Sequence, residues 1–531
     1  MTDVAGIAPA PVASGGGFIK LFDNRQALLR WVIASVLGVG CLLSWFLFAR
    51  ATFLYDPPLM HFMAWRISEG DVPYQDFWDM NGPAIYMVHL LLLLFPGSPT
   101  QVYAGLMIVL TAACVASAAI TAGFTRRTPL IGGLTGLATL VWILNAGNQI
   151  LAQRDLVIAA CAVGALAFVH DMPSRAWRWF VSGFLIAFAI GVKPLAAPFG
   201  LMAFAATLYL DLAASASALG WNARLRRTLG LAAGGAAGVA FWFAFLVFTG
   251  SVGAWWSTMT GFNVAEYAHI GREPFEMLAA SPVMATALVG CVIGLYAAFA
   301  AMNSQRIRAR EESIFLLLVA GFGFIGIALY FIQGKGWLYQ TVPAGLLGLL
   351  SFGAAATWLA AHGRRLLALA VMVAMLLTIR VYDLRVQISP AFQQQMAAQT
   401  GYVDDMASAM RALPPGMKVQ PLDTAEGALQ AMFAARREQA SPIVYDFVLF
   451  SGSAEAQSKA RQVLLQSIGD TRPAILITNQ GWPDKRRLGH ERVSSFAELH
   501  ALLGGEYRLQ AHSRRTFHDV VYEYRLYAPA P

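Results

Sequence analysis

The chain has 531 residues, 57% of them hydrophobic and only 13% charged, against about 25% charged in an average soluble protein. Its mean hydropathy is +0.55, and a single aqueous core cannot hide that much apolar surface. The net charge of +8 would suggest nucleic acid in a soluble chain. Here the arginines stand in short loops between apolar runs, where membrane topology accounts for them and no nucleic-acid partner is needed.

Residues 1–17 are small, polar and rich in Pro and Gly, without the basic start and short apolar core of a signal peptide. They read as a disordered tail within a cytoplasmic segment 1–30. Long uncharged runs follow, such as 31–49, 102–124 and 229–249. Each can cross an apolar layer of about 30 Å as a helix of roughly 20 residues, and helices satisfy their own backbone in lipid. The ten-residue alternation of a strand-built barrel is missing. Cys41, Cys114, Cys161 and Cys291 all fall inside apolar runs, so no disulfide is expected.

Lys and Arg in short loops mark the cytoplasmic side. They recur at Lys20/Arg25/Arg30, Arg126/Arg127, Arg175/Arg178, Arg224/Arg226/Arg227, Arg306/Arg308/Arg310 and Arg364/Arg365. Placing all six groups inside gives eleven spans: 31–50, 101–123, 129–147, 156–170, 179–195, 197–213, 229–249, 279–301, 313–332, 341–360 and 365–383. The 82–95 run is apolar but too short for a comfortable crossing, so it should lie along the outer surface. An odd count puts the N-terminus in and the C-terminus out. The fold class is therefore mainly α: a polytopic bundle over 31–384, with two juxtamembrane helices in the first outer loop. The tail 385–531 carries more charge. Strand-like stretches (443–450, 474–477) alternate there with helical patterns (426–438, 454–468, 495–503), which predicts a small soluble α/β domain.

The chemistry-bearing residues gather in the outer loops. Loop one, 51–100, holds Asp56-Pro57-Pro58 and then a run from Gly70 to Pro83 that includes Tyr74, Asp76 and Asp79. Leu59, Phe62, Met63 and Ile67 have helical spacing, which suits a helix lying on the bilayer interface. Asp before Pro also makes a good helix N-cap, so Asp56 and Asp79 have a structural reading beside a catalytic one. Gln153-Arg154-Asp155 abuts long apolar spans, where ionisable groups are costly and mark sites; the bland alternative is a snorkelling Arg and a capping Asp. Lys193-Pro194 and Gly334-Lys335-Gly336-Trp337, with Tyr339, stand at further outer ends. Either lysine could frame a phosphate or snorkel. Glu266, Tyr267 and His269 fall in the outer loop 250–278, where a solvated loop is the plain reading. Polar residues of this kind do not line the middle of the spans, where a transporter would hold its substrate.

The order of these elements resembles the GT-C glycosyltransferase superfamily, which includes the protein O-mannosyltransferases, the oligosaccharyltransferases and the lipid A aminoarabinose transferase. Asp56 corresponds to the acidic residue that follows the family's first span. The Gly70–Pro83 run looks like its loop-one sequence, with Asn81-Gly82-Pro83 in place of a Pro-Pro-Gly turn. Gln153-Arg154-Asp155 resembles its second acidic motif. Gly334-Lys335-Gly336-Trp337 with Tyr339 looks like a later motif, although Gln340 stands where a His is common. The resemblance covers 31 to about 383.

It implies a bacterial inner-membrane enzyme that passes a sugar from a polyprenyl-phosphate donor to a glycan, lipid or protein acceptor on the periplasmic side. Asp56 would take the acceptor proton. Asp155 would orient the acceptor or hold a divalent metal with Asp56. Arg154, Lys193 and Lys335 would neutralise the leaving phosphate. Tyr74, Asp76, Asp79, Glu266, His269 and Tyr339 complete the expected site. The rival readings are a sugar-lipid flippase or transporter, an O-antigen-type ligase or polymerase, and a non-catalytic envelope-assembly protein.

Overall fold

A computed structural model describes residues 25–50, 56–123, 125, 128–172, 174–213, 225–263, 266–304, 309–379, 382–423, 425–479, 482, 487–517 and 520–531. Residues 1–17, Lys20, Arg126, Arg127, Arg224, Arg306 and Arg308 lie outside this set.

The first long helices are α1 (Arg25–Phe48), α2 (Asp56–Ser68), α3 (Pro83–Leu93), α4 (Pro99–Thr121), α5 (Pro129–Ala146), α6 (Arg154–Val169) and α7 (Ala176–Val192). They are followed by α8 (Ala197–Ala213), α9 (Arg226–Phe248), α10 (Pro282–Met302), α11 (Ala309–Gln333), α12 (Val342–Ala361) and α13 (Arg365–Leu377). Proline opens α3, α4, α5 and α10, where its missing N–H costs nothing. Ser98 and Gln101 close a capping box on α4.

Each of the eleven expected spans coincides with a helix. By length and hydropathy, eight helices among the described residues qualify as membrane spans. The other three, α6, α7 and α13, have 16, 17 and 13 residues. The 82–95 run forms α3, whose 11 residues reach only about 16 Å.

Helix α12 is the axis of the bundle, buried from Val342 to Leu359. Helices α7 and α9 approach closely because a Cβ on Gly183 would fall 2.1 Å from the Leu231 carbonyl oxygen, and one on Gly234 would fall 1.9 Å from that of Phe180. Small residues allow such backbone contact within a membrane. All four cysteines are buried and free.

Helix α2 corrects one expectation. Its residues from Pro57 to Arg66 are all buried, where an interfacial helix would bury one face. The second cover comes from the tail: Phe433 meets His61 at 4.8 Å and Trp65 at 5.8 Å.

The tail comprises α14 (Pro390–Arg411), β1 (Val419–Leu422), α15 (Ala428–Ala435), α16 (Ala454–Thr471), β2 (Ala474–Thr478), α17 (Ala497–Glu506), β3 (Tyr507–Phe517) and β4 (Val520–Pro529). Its sheet has the order β1-β2-β4-β3. β1 and β2 run parallel from Val419↔Ala474 to Leu422↔Ile477, while β4 pairs antiparallel with both β2 and β3. Strands β1 and β2 are wholly buried. Met406 and Met410 of α14 are buried in the tail, and Tyr402 of the same helix donates to the Glu523 carbonyl at 2.8 Å.

The stretch 443–450 is a second correction. Ile443 makes one bridge with Trp78, and 446–449 closes a 3-10 turn. The Trp78 amide donates to the Pro442 carbonyl at 2.7 Å, Tyr445 binds Asp79, and Asp446 pairs with buried Arg492. Partners from loop one and the neighbouring helix replace a strand ladder.

Candidate functional site

Four separate segments converge at the N-terminus of α6. Arg154, its first residue, donates from Nη2 to Asp56 Oδ2 at 2.6 Å. Asp56 opens α2. Asp155, only 1% exposed, accepts from Lys193 Nζ at 3.0 and 3.3 Å. Lys193 is the residue where α7 ends. Gln333, the last residue of α11, accepts from Lys193 at 2.5 Å and donates to Asp155 at 3.4 Å.

The turn before α3 fixes the height of loop one against this group. The Gly82 amide donates to the Val192 carbonyl at 3.2 Å, beside Lys193. A Cβ at Gly82 would lie 2.1 Å from the Gly191 carbonyl oxygen, so only glycine fits the contact.

Several buried polar atoms around the pairs have no hydrogen-bond partner among the described residues. They are Tyr339 Oη, Arg154 Nε and Gln153 Oε1. Orphaned atoms of this kind are rare in folded proteins and mark strain or a ligand position. Tyr339 stands in a 3-10 turn from Leu338 to Thr341 that opens α12. The Tyr267 phenol lies in the same field: burial raises its pKa first, and Arg154, Asp56, Asp79 and Asp155 act on it in turn.

Asp79 occupies a separate pocket. Its buried carboxylate accepts from the Met80 amide at 2.8 Å, Asn81 at 2.7 and 2.9 Å, Tyr445 at 2.7 Å, and Tyr86. Burial nevertheless holds its pKa above the usual carboxylate range. Tyr74 closes the pocket by donating to the Asn81 carbonyl at 2.7 Å.

The remaining expected residues are not brought together with these pairs. Lys335 donates to the Tyr267 carbonyl at 2.8 Å and to that of Ile270, and lies 4.2 Å from the centre of the Tyr267 ring. Burial lowers its pKa to about 8. Asp76 is exposed and accepts from the Val72 amide at 2.7 Å. Glu266 accepts from the amide and hydroxyl of Ser453, each at 2.7 Å, tying loop 250–278 to the start of α16. The side chain of His269 lies outside the described residues.

Sequence reasoning missed Gln333 and Tyr445. Gln333 stands immediately before the Gly334-Lys335-Gly336 motif, a signal that was available. Tyr445 lies in the stretch read as strand, and no local pattern announced it. As a shared divalent-metal centre, Asp56 and Asp155 fit poorly, since each carboxylate already holds a cation. Among the described residues no group of three or more His, Cys, Asp or Glu is placed to hold a metal.

The backbone shares its fold with two solved proteins. ArnT from Cupriavidus metallidurans bound to undecaprenyl phosphate superposes with a TM-score of 0.55 at 13% identity, covering 93% of this chain and 98% of that one. The same protein in the apo state gives 0.53 at 14%, over 94% and 98%. The archaeal oligosaccharyltransferase AglB from Archaeoglobus fulgidus, in complex with an inhibitory peptide and a dolichol-phosphate, gives 0.51 at 9%, over 84% and 69%. At these identities the likeness shows the fold, and the fold is theirs. No protein-family model matches the sequence, and no curated protein matches it.

Proposed function

We propose that the chain is a glycosyltransferase of the bacterial inner membrane, moving a sugar from a polyprenyl-phosphate donor to an acceptor on the periplasmic side. The observation that carries this reading is the pair of ion pairs at the start of α6, with orphaned polar atoms beside them, in a fold shared with a protein bound to undecaprenyl phosphate.

The donor phosphate can engage the planar guanidinium fork with two of its oxygens, where Asp56 makes a single contact with it. Its arrival at Arg154 would release Asp56 from the 2.6 Å contact. The freed carboxylate takes the proton of the acceptor hydroxyl. The acceptor oxygen attacks the anomeric carbon, the carbon–oxygen bond to phosphate breaks, and the configuration inverts. The polyprenyl phosphate leaves with its charge held by Arg154 and Lys193, while Tyr339 Oη stands free to donate to it. Fixed donors in a dry site need no reorganisation as that charge develops. Asp155 and Gln333 hold Lys193 in position. The arrangement supports this reading over a flippase because its charges sit at one end of the bundle, not at mid-depth.

The test is transfer by purified protein from short-chain polyprenyl-phosphate sugars, comparing wild type with Asp56→Asn. Turnover should fall about 10²–10⁴-fold, the share typical of one general base, while donor binding is kept. An Asp56→Asn protein as active as wild type would overturn the role of Asp56.

A further inference from the structure

A half-open cavity of about 750 Å³ lies where loop one, the 250–278 loop and the tail meet. Asp79 and Tyr445 form part of its wall. The Tyr445 phenol donates to Asp79 at 2.7 Å, which ties loop one to the cavity wall. From it a train of rings leads inward. Tyr445 meets Phe447 at 5.6 Å, Phe447 meets Trp482 at 4.9 Å, Trp482 meets Trp337 at 5.2 Å, and Trp337 meets Tyr339 at 5.5 Å.

The lining combines two features. Half-buried Trp78 supplies the aromatic surface, with buried Tyr445 and Phe447 packed into the wall beside it, and a rigid ring gives contact to the apolar face of a ligand at small entropic cost. The charges are lopsided: Glu266 and exposed Glu455, with Asp79 buried among its own donors, against the single cation Lys459 among the described lining residues. A phosphate group entering here would face like charge, which selects strongly against a partner. A sugar ring without phosphate would meet the Trp78 face and, at the exposed Glu455 carboxylate, an acceptor for its hydroxyls.

Resting on the transferase reading above, we propose that this cavity binds the acceptor, that the acceptor is a phosphate-free saccharide, and that Glu455 and Trp78 set that specificity. Full-length protein in lipid nanodiscs would be tested by ligand-observed NMR with lactose, maltose and diacetylchitobiose, and with their monophosphate esters. At least one parent disaccharide should bind, with its ester at least about tenfold weaker. Glu455→Lys, at an exposed rim position, should narrow that gap by strengthening the ester, and Trp78→Ala should weaken the parent sugar.

Esters that bind as tightly as the parent sugars, or a Ser/Thr peptide that binds while every sugar fails, would overturn the proposal. Undecaprenyl phosphate binding in the same preparation separates the two readings. If it binds and no sugar does, only the acceptor assignment falls. If it does not bind, the transferase reading falls as well.

Discussion

Asp56 and Arg154 stand 98 residues apart in the chain and meet at 2.6 Å, across the gap between the first juxtamembrane helix and the start of α6. The contact leaves the Arg154 side chain 7% exposed and that of Asp56 19% exposed. Removing one partner of such a pair strands a poorly solvated charge, at about 3–5 kcal/mol. Arg154→Ala should therefore lower thermal stability and also abolish undecaprenyl phosphate binding, measured by melting in detergent and by lipid pull-down. Arg154→Lys should restore much of the stability and little of the binding, because an ammonium lacks the planar fork. Full lipid binding by Arg154→Ala would remove this residue from the phosphate site.

The pair Asp155 and Lys193 tests a different property. Their contact, with Gln333 bridging both, is a three-member network, and such members couple by about 0.5–3 kcal/mol. A double-mutant cycle of Asp155→Asn and Lys193→Met should show that coupling in melting free energy. Gln333→Ala alone should leave folding nearly intact and raise KM for the donor more than it lowers kcat, since it acts by positioning Lys193 and Asp155. A cycle that is additive to within about 0.3–0.5 kcal/mol would mean that the two residues act independently.

Asp79 and Tyr445 join loop one to the tail across 366 positions of sequence. Tyr445→Phe deletes one donor to a buried carboxylate, which costs about 1–3 kcal/mol where the acceptor stays desolvated. The effect should appear as faster proteolysis within the tail. It should shrink in the Asp79→Asn background, where no charge is left to stabilise. Equal losses in both backgrounds would show that packing, not the hydrogen bond, holds Tyr445.

How much of this was readable in the sequence follows from the range of each interaction. The bundle helices were legible because an uncharged run of about 20 residues has one way to satisfy its backbone in lipid. Gln153-Arg154-Asp155 was legible for the same reason: charges against an apolar span demand an explanation. Which acid meets which cation was not, since Asp56 reaches Arg154 and Lys193 reaches Asp155 only through the packing of α2, α6, α7 and α11. Lys335 looked like a phosphate ligand, but its ammonium sits on the Tyr267 and Ile270 carbonyls, a local choice that a glycine-flanked lysine does not announce. Strand β3 escaped notice because most of its positions are exposed and 512–516 are polar without a break, so it lacks the period of two expected of a half-buried strand.

Glu426 supplies the pH test. Burial, with Asp423 adding to it, raises its pKa from 4.5 to about 8. The folded tail therefore binds more protons than the unfolded chain between those values, and stability falls as pH rises through that window. The contribution of the neutral carboxyl is fully present below about pH 4.5 and is lost as pH passes about 8. Glu426→Gln keeps the shape and removes the titration. Its melting temperature should exceed that of wild type at pH 8, and the difference should close toward pH 5, as read by melting curves of the detergent-purified full chain. Parallel curves for the two proteins across that range would show that Glu426 titrates as an ordinary solvated carboxylate.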